Sequence, residues 1–198
     1  MKIYDISQEL LGSVVYDGDP RPSSRLVKSM NGGELYNLTE ISMCVHNGTH
    51  IDAPCHFING GCDVSEIPLE KFVGYAYVTE QSGDITETVA AEILASAMSK
   101  NPDSRGRILV KGNATLTDDG ARVFAESGIL LVGTESQSVG NESSPMSVHL
   151  ILLKAETVLL EGLRLSSVPE GVYLLAAQPI NIKAANGAPT RAILIDGV

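Results

Sequence analysis

Three of the chain's four histidines fall within eleven residues, with an aspartate among them: Val45-His46-Asn47-Gly48-Thr49-His50-Ile51-Asp52-Ala53-Pro54-Cys55-His56-Phe57. Neutral imidazole and carboxylate together suit zinc, manganese or iron. A cluster of these types reads as a metal or catalytic site rather than as separate hydrogen-bonded histidines. Gly48 permits backbone angles that other residues avoid, and Pro54 removes a donor and stiffens the chain. The spacing therefore predicts a shaped loop, not a helix carrying ligands at i and i+4. A zincin helix needs a glutamate directly after its first histidine. Asn47 stands there, so that chemistry is excluded.

The elements that must position these residues can be read on either side. Ile3 to Ile6 reads as a short edge strand. Arg25 to Met30 and Leu35 to Val45 read as strands joined through the turn signal Asn31-Gly32-Gly33, the second delivering His46 at its end. Its alternation is imperfect, which predicts two partly covered faces. After a turn at Asn59-Gly60-Gly61, Ile67 to Phe72 reads as a loop or single helical turn and Gly74 to Thr79 as a strand. Asp84 and Glu87 have the spacing of a capping box, predicting a helix from there to about Met98 with Val89, Ile93 and Ala97 on one stripe. Arg107 to Lys111 is the next strand. Thr117 opens a helix through Ala125 that Gly128 ends. Ile129 to Gly133 is a continuous apolar run, typical of a strand buried on both faces. Ser144-Pro145 has the form of an N-cap before a proline at the first helical position. It opens a helix from Met146 to Lys154 that holds His149 among apolar residues. Thr157 to Glu161 reads as a strand ending in an acid. Gly171 to Ala177 and Arg191 to Asp196 close the sheet, with a hairpin turn at Asn186-Gly187. The fold class is α/β: a mixed sheet with about three helices in a single domain over 1–198, without repeat or linker. By themselves, His149 is a hydrogen-bonded core histidine and Glu161 a surface acid.

With 198 residues, 43% hydrophobic and 19% charged, the chain is long enough for one domain with a real core. Its formal net charge of −10 opposes phosphate backbones and anionic lipids. Nucleic acid and membrane are therefore not expected partners. No apolar run reaches membrane-spanning length. Asp5 stands where a signal peptide would carry its apolar segment, which predicts a cytoplasmic location. Cys44, Cys55 and Cys62 form no framework spacing and no Cys-x-x-Cys pair, which argues against disulfides and a redox protein. Cys44 and Cys55 stand near enough to the motif to be soft ligands, but small buried packing residues are the better reading.

His46-x-Gly48-Thr49-His50-x-Asp52-x-Pro54-x-His56 resembles the signature of the metal-dependent cyclase family, which includes bacterial kynurenine formamidases and isatin hydrolases. The match covers every defining position of that motif. The resemblance implies a swivelling β/β/α-type fold, commonly a homo-oligomer (dimer or tetramer). It implies one or two divalent metal ions, zinc first and manganese second. His46, His50 and Asp52 would hold the first, and Asp52 would bridge to a second held also by His149 and Glu161. His56 would be the catalytic acid/base. The implied activity is hydrolysis of a C–N bond in a small-molecule amide, such as N-formyl-kynurenine to kynurenine and formate, by metal-activated hydroxide. The implied alternative is a cyclic amide or lactone. Val14 to Pro22 resembles a segment that borders the family's pocket, with Tyr16 as its aromatic and Asp17 in place of proline. The chain has no tryptophan with which to stack an aryl ring. Tyr16 either stacks there, within or across subunits, or packs at a loop base. Thr134 to Val139 resembles the family's pocket loop, where Ser136 and Ser138 contact substrate or shape the loop. A domain that kept the fold as a silent metal or small-molecule binder is disfavoured, because every inferred ligand and His56 are present.

Overall fold

The computed structural model describes residues 1–140 and 145–197. The chain opens with β1 (Lys2–Asp5), β2 (Ser23–Lys28), β3 (Leu38–Ser42) and β4 (His50–Asp52). It continues through β5 (Val73–Glu80), β6 (Gly83–Ile85), α1 (Glu87–Lys100), β7 (Arg107–Lys111), β8 (Ala114–Leu116) and α2 (Asp118–Glu126). Then follow β9 (Leu131–Thr134), α3 (Pro145–Lys154), β10 (Val158–Glu161), β11 (Gly171–Ala176), β12 (Gly187–Pro189) and β13 (Ile193–Asp196).

Nine strands form one mixed sheet in the order β1-β13-β11-β5-β7-β9-β10-β4-β12. Its middle, β5-β7-β9-β10, is parallel, and the outer pairs are antiparallel. Parallel neighbours need crossovers, which α1, α2 and α3 supply in turn. The parallel strands are buried on both sides, which is why Ile108-Leu109-Val110 carries no polar alternation. On one face Tyr77, Ile108, Val132 and Leu159 pack against Ile93, Phe124, Val148 and Leu152 of the helices. On the other, Leu109, Leu131 and Leu160 share one cluster with Leu194 of β13 and Ala188 of β12. Residues from near both edges thus meet in a single core, so the sheet curls around it. This is the mixed α/β architecture with three helices that the sequence predicts.

Several boundaries differ from expectation for physical reasons. The strand expected over Leu35 to Val45 occupies only Leu38–Ser42, and Met30–Gly32 is a 3-10 turn within a longer connection. The β2–β3 pair is a separate two-stranded sheet, exposed at almost every position rather than partly covered. The capping box predicted at Asp84 does not form. Gly83–Ile85 is taken up as a strand beside Ala114–Leu116, and Thr86 becomes the N-cap of α1. Thr117 caps α2 as expected, its hydroxyl accepting from Gly120 N–H at 3.1 Å. The hairpin turn expected at Asn186-Gly187 is absent: Gly187 begins β12, which pairs with β4. Ser144 lies outside the described residues.

Candidate metal centre

The middle of the histidine motif is a strand, not a loop. β4 is only three residues long, held between β10 and β12. Alternation sends Ile51 into the core and turns His50 and Asp52 together to the opposite face. On β10, Glu161 stands directly across from His50 and Leu159 across from Asp52, so Glu161 joins the same face. That face is covered by α3, whose apolar stripe of Val148 and Leu152 seats His149 above the two carboxylates. Asp52 and Glu161 are 1% and 2% exposed, an expensive burial for two acids unless cations or donors surround them.

His46 does not sit at a strand end. It lies in a turn after β3, closed by Asn47 N–H to Cys44 O at 3.2 Å and Cys44 N–H to Asn47 Oδ1 at 2.8 Å. Gly48, at φ +70°, lets the chain leave that turn for β4. Thr49 fastens it to the end of β10, its hydroxyl donating to Gly162 O at 2.7 Å. The His46 ring lies against Gly187, where a Cβ would stand 2.5 Å from its Cε1. Gly187 is therefore needed for close approach.

His46 Nδ1 lies 2.9 Å from Asp52 Oδ1, and its Nε2 lies 3.0 Å from Asn186 Oδ1. His50 Nδ1 is 3.0 Å from Gly48 O, which fixes the proton there and leaves Nε2 as the nitrogen that could ligate. That Nε2 lies 3.4 Å from Glu161 Oε2 and 3.6 Å from Asp52 Oδ1. His149 Nε2 lies 3.2 Å from Glu161 Oε1 and 3.6 Å from Asp52 Oδ2. Two donor groups result, His46–His50–Asp52 and Asp52–His149–Glu161, each with its ligand atoms within 4.8 Å of one another. Asp52 belongs to both, offering one oxygen to each.

The electrostatics fit a cation. Burial acts to raise the Glu161 carboxyl, but hydrogen bonds from His149 and His50 overcome it and hold the group well below the usual carboxylate range. Burial opposes charge on His50, yet Glu161 and Asp52 outweigh it and raise the imidazole above its ordinary value. A site that draws a proton onto the buried His50 imidazole beside its acids has an excess of negative charge that a divalent ion would satisfy.

His56 is placed apart from these groups. It ends a 3-10 turn, Pro54–His56, with Pro54 at the first position. Its ring stacks on His46 at a centroid distance of 4.1 Å and meets Phe57 edge-on at 4.3 Å. Burial pushes its pKa below the ordinary value, with the nearby His46 and His149 acting in the same sense and Asp52 against them. All six residues face one cavity of about 370 Å³, shared with Tyr16, Asp19, Phe57, Gln137, Ser138 and Met146. That is the volume of a small-molecule site.

Of the three residues expected to contact substrate, Tyr16 and Ser138 line this cavity and Ser136 does not. Ser136 serves its loop: its carbonyl accepts from Gly162 N–H at 2.7 Å and its hydroxyl from Ser138 N–H at 3.3 Å. No cysteine joins either donor group among the described residues. Cys55 and Cys62 pack, half-buried, against the core. Sequence reasoning assigns no role to Asn186, which orients His46, or to Asp19, Phe57, Gln137 and Met146 in the cavity wall, although Asp19 and Gln137 lie in the two segments that resemble the family's pocket borders and Phe57 ends the histidine stretch.

The profile of the Cyclase family, described as "Putative cyclase", matches residues 4–141, and the chain belongs to that family. The match spans the histidine motif but ends before His149 and Glu161, whose place in the site rests on the geometry. A kynurenine formamidase from Erythrobacter litoralis is 32% identical, the alignment covering 98% of this chain and 93% of the relative. A solved structure of a potential metal-dependent hydrolase with cyclase activity superposes with a TM-score of 0.83 at 28% identity, covering 100% of this chain and 98% of that one. Isatin hydrolase A from Labrenzia aggregata shares the fold, with a TM-score of 0.81 at 23% identity over 99% of this chain and 94% of its own.

Proposed function

We propose that this chain hydrolyses the C–N bond of an N-aryl amide, with an N-formyl arylamine of the kynurenine type as the substrate that its relatives favour. That it is a metal-dependent hydrolase follows from the family together with the buried donor set. The observation that carries the finer reading is the pair of overlapping donor groups sharing Asp52, with a separate imidazole at the same cavity.

In this reading His46, His50 and Asp52 hold one divalent ion and Asp52, His149 and Glu161 a second, zinc before manganese. Such ions supply Lewis acidity and acidify water. The protein's residues do the rest. Asn186 and Gly48 fix the rings of His46 and His50, and Val139 N–H holds Glu161 Oε1 at 2.8 Å. His56, held neutral near pH 7 by its burial, takes a proton from attacking water and returns it to the departing amine. Phe57, Tyr16 and Met146 give the cavity the apolar wall that an aryl group needs.

The chain also acts as a homo-oligomer and in the cytoplasm, in this reading. Leu26 and Ile41 share one face of the β2–β3 hairpin and are 55% and 56% exposed. An isolated hairpin is marginal in water, and a second copy would cover that face. Among the described residues no helix is long and apolar enough to cross a membrane.

The test is turnover of N-formyl-kynurenine by zinc- or manganese-loaded protein, with His56→Ala beside it. The variant should keep its metal and lose about 10²–10⁴-fold in kcat. Because His56 works as a neutral base and burial lowers its pKa, its own protonation should cut the wild-type rate only at a pH below the ordinary imidazole range. Metal-bound protein with no turnover would remove the aryl formamide. Metal lost with His56 would make that residue a ligand.

A further inference from the structure

Among the described residues lining the cavity, Gln137 alone has buried side-chain polar atoms without a partner: both Nε2 and Oε1 are screened from solvent and unbonded. Its backbone is held on both sides. Ser136 O accepts from Gly162 N–H at 2.7 Å, and Val139 N–H donates to Glu161 at 2.8 Å. The polar groups beside the carboxamide are committed elsewhere. Gln8 Nε2 donates to Gly162 O, and Gln8 Oε1 accepts from Val14 N–H and Arg164. Thr49 also donates to Gly162 O. Gln137 rests over Gly162, where a Cβ would come within 2.6 Å of Nε2.

A buried amide is stable only when bonded, and the cavity is the side from which a partner can reach this one. Both atoms are screened from solvent as the side chain stands, so meeting a partner in the cavity requires a turn about its side-chain bonds. Apart from Asp19, the acids and imidazoles of the wall belong to the donor groups and to His56. Gln137 is neutral, so it can bond a substrate without competing for a cation. We propose that Gln137 is a specificity residue: its Oε1 accepts the N–H of the substrate's amide, so the site selects amides that carry an N–H over isosteres that lack it. This rests on the amide-hydrolase reading above. An ester or ketone would set a lone pair or a CH₂ against Oε1 and leave the carboxamide unpaired.

The test compares acetanilide with phenylacetone, which replaces only the N–H by CH₂ and cannot be hydrolysed. Both are titrated calorimetrically into zinc-loaded His56→Ala protein, with and without Gln137→Met, a substitution that keeps length and packing. The parent should bind acetanilide about tenfold more tightly than phenylacetone. Gln137→Met should abolish that preference, with zinc content and phenylacetone affinity unchanged. A preference that survives the substitution, or is absent from the parent, overturns the proposal. So does loss of zinc in Gln137→Met, which would make the residue part of the metal scaffold. If zinc-loaded parent binds neither compound, the aryl-amide reading itself falls and the inference with it.

Discussion

β4, which carries His50 and Asp52 of the donor groups, and the β2–β3 hairpin are built from similar short strands, yet they end in opposite states. β4 has only three residues and no exposed one, because β10 and β12 flank it and α3 packs over neighbouring β10. The hairpin has eleven strand residues and nearly all are exposed. Its two faces differ. Leu26 and Ile41 lie on one, while Arg25 and Glu40 pair on the other at 3.1 Å. β4 is thus complete within one chain, whereas the hairpin exposes Leu26 and Ile41 on a face that none of the described residues covers.

The sharpest way to break the first half of the comparison is Asp52→Asn. Asp52 offers one oxygen to each donor group, so a single change should disable both. Metal uptake should fall to background by elemental analysis, and turnover with it. In the wild type, zinc at a hundredfold excess over its Kd adds about 2.7 kcal/mol, or roughly 5–11 °C in Tm for a chain of this size. That rise should vanish in the variant. A variant that still binds metal at full stoichiometry would separate the two groups and end the idea of a shared carboxylate.

The hairpin is tested by its assembly. Leu26→Asp with Ile41→Asp puts charge on the apolar face while leaving Arg25 and Glu40 in place. Sedimentation of the wild type should show a dimer or larger species, and the double variant a monomer with unchanged zinc content. A monomeric wild type would mean that the exposed face is simply tolerated. A variant that keeps its assembly would move the interface elsewhere.

How much of this could be read from sequence follows the same division. His46, His50, Asp52 and His56 were legible because a rare residue type is concentrated in one short stretch. His149 and Glu161 carried no local signal. One sits in an apolar helix and the other at a strand end, and only the resemblance joined them to the motif. The strand at His50–Asp52 was hidden because it is buried on both faces, so its two polar residues do not mark a solvent side. Asp84 to Glu87 had the right spacing for a cap, but parallel pairing of Asp84 with Thr115 claimed the backbone first. Asn186-Gly187 had turn composition for another reason: Asn186 bonds His46, and Gly187 leaves space for its ring. In each of these cases a tertiary contact displaced a valid local preference.

The smallest effect belongs to the hairpin's other face. The Arg25 and Glu40 side chains are 71% and 58% exposed, so their pairing is screened by water and salt. Such pairs contribute about 0–1 kcal/mol. Arg25→Ala should therefore move Tm by no more than about 2–4 °C in low salt, and by less in high salt, where the Debye length shrinks. Zinc content and assembly should not change. A larger loss that persists in high salt would mean that the charged face is also desolvated in the assembled protein. The hairpin would then be gripped on both faces by its partner, and the contrast with β4 would hold only for the isolated chain.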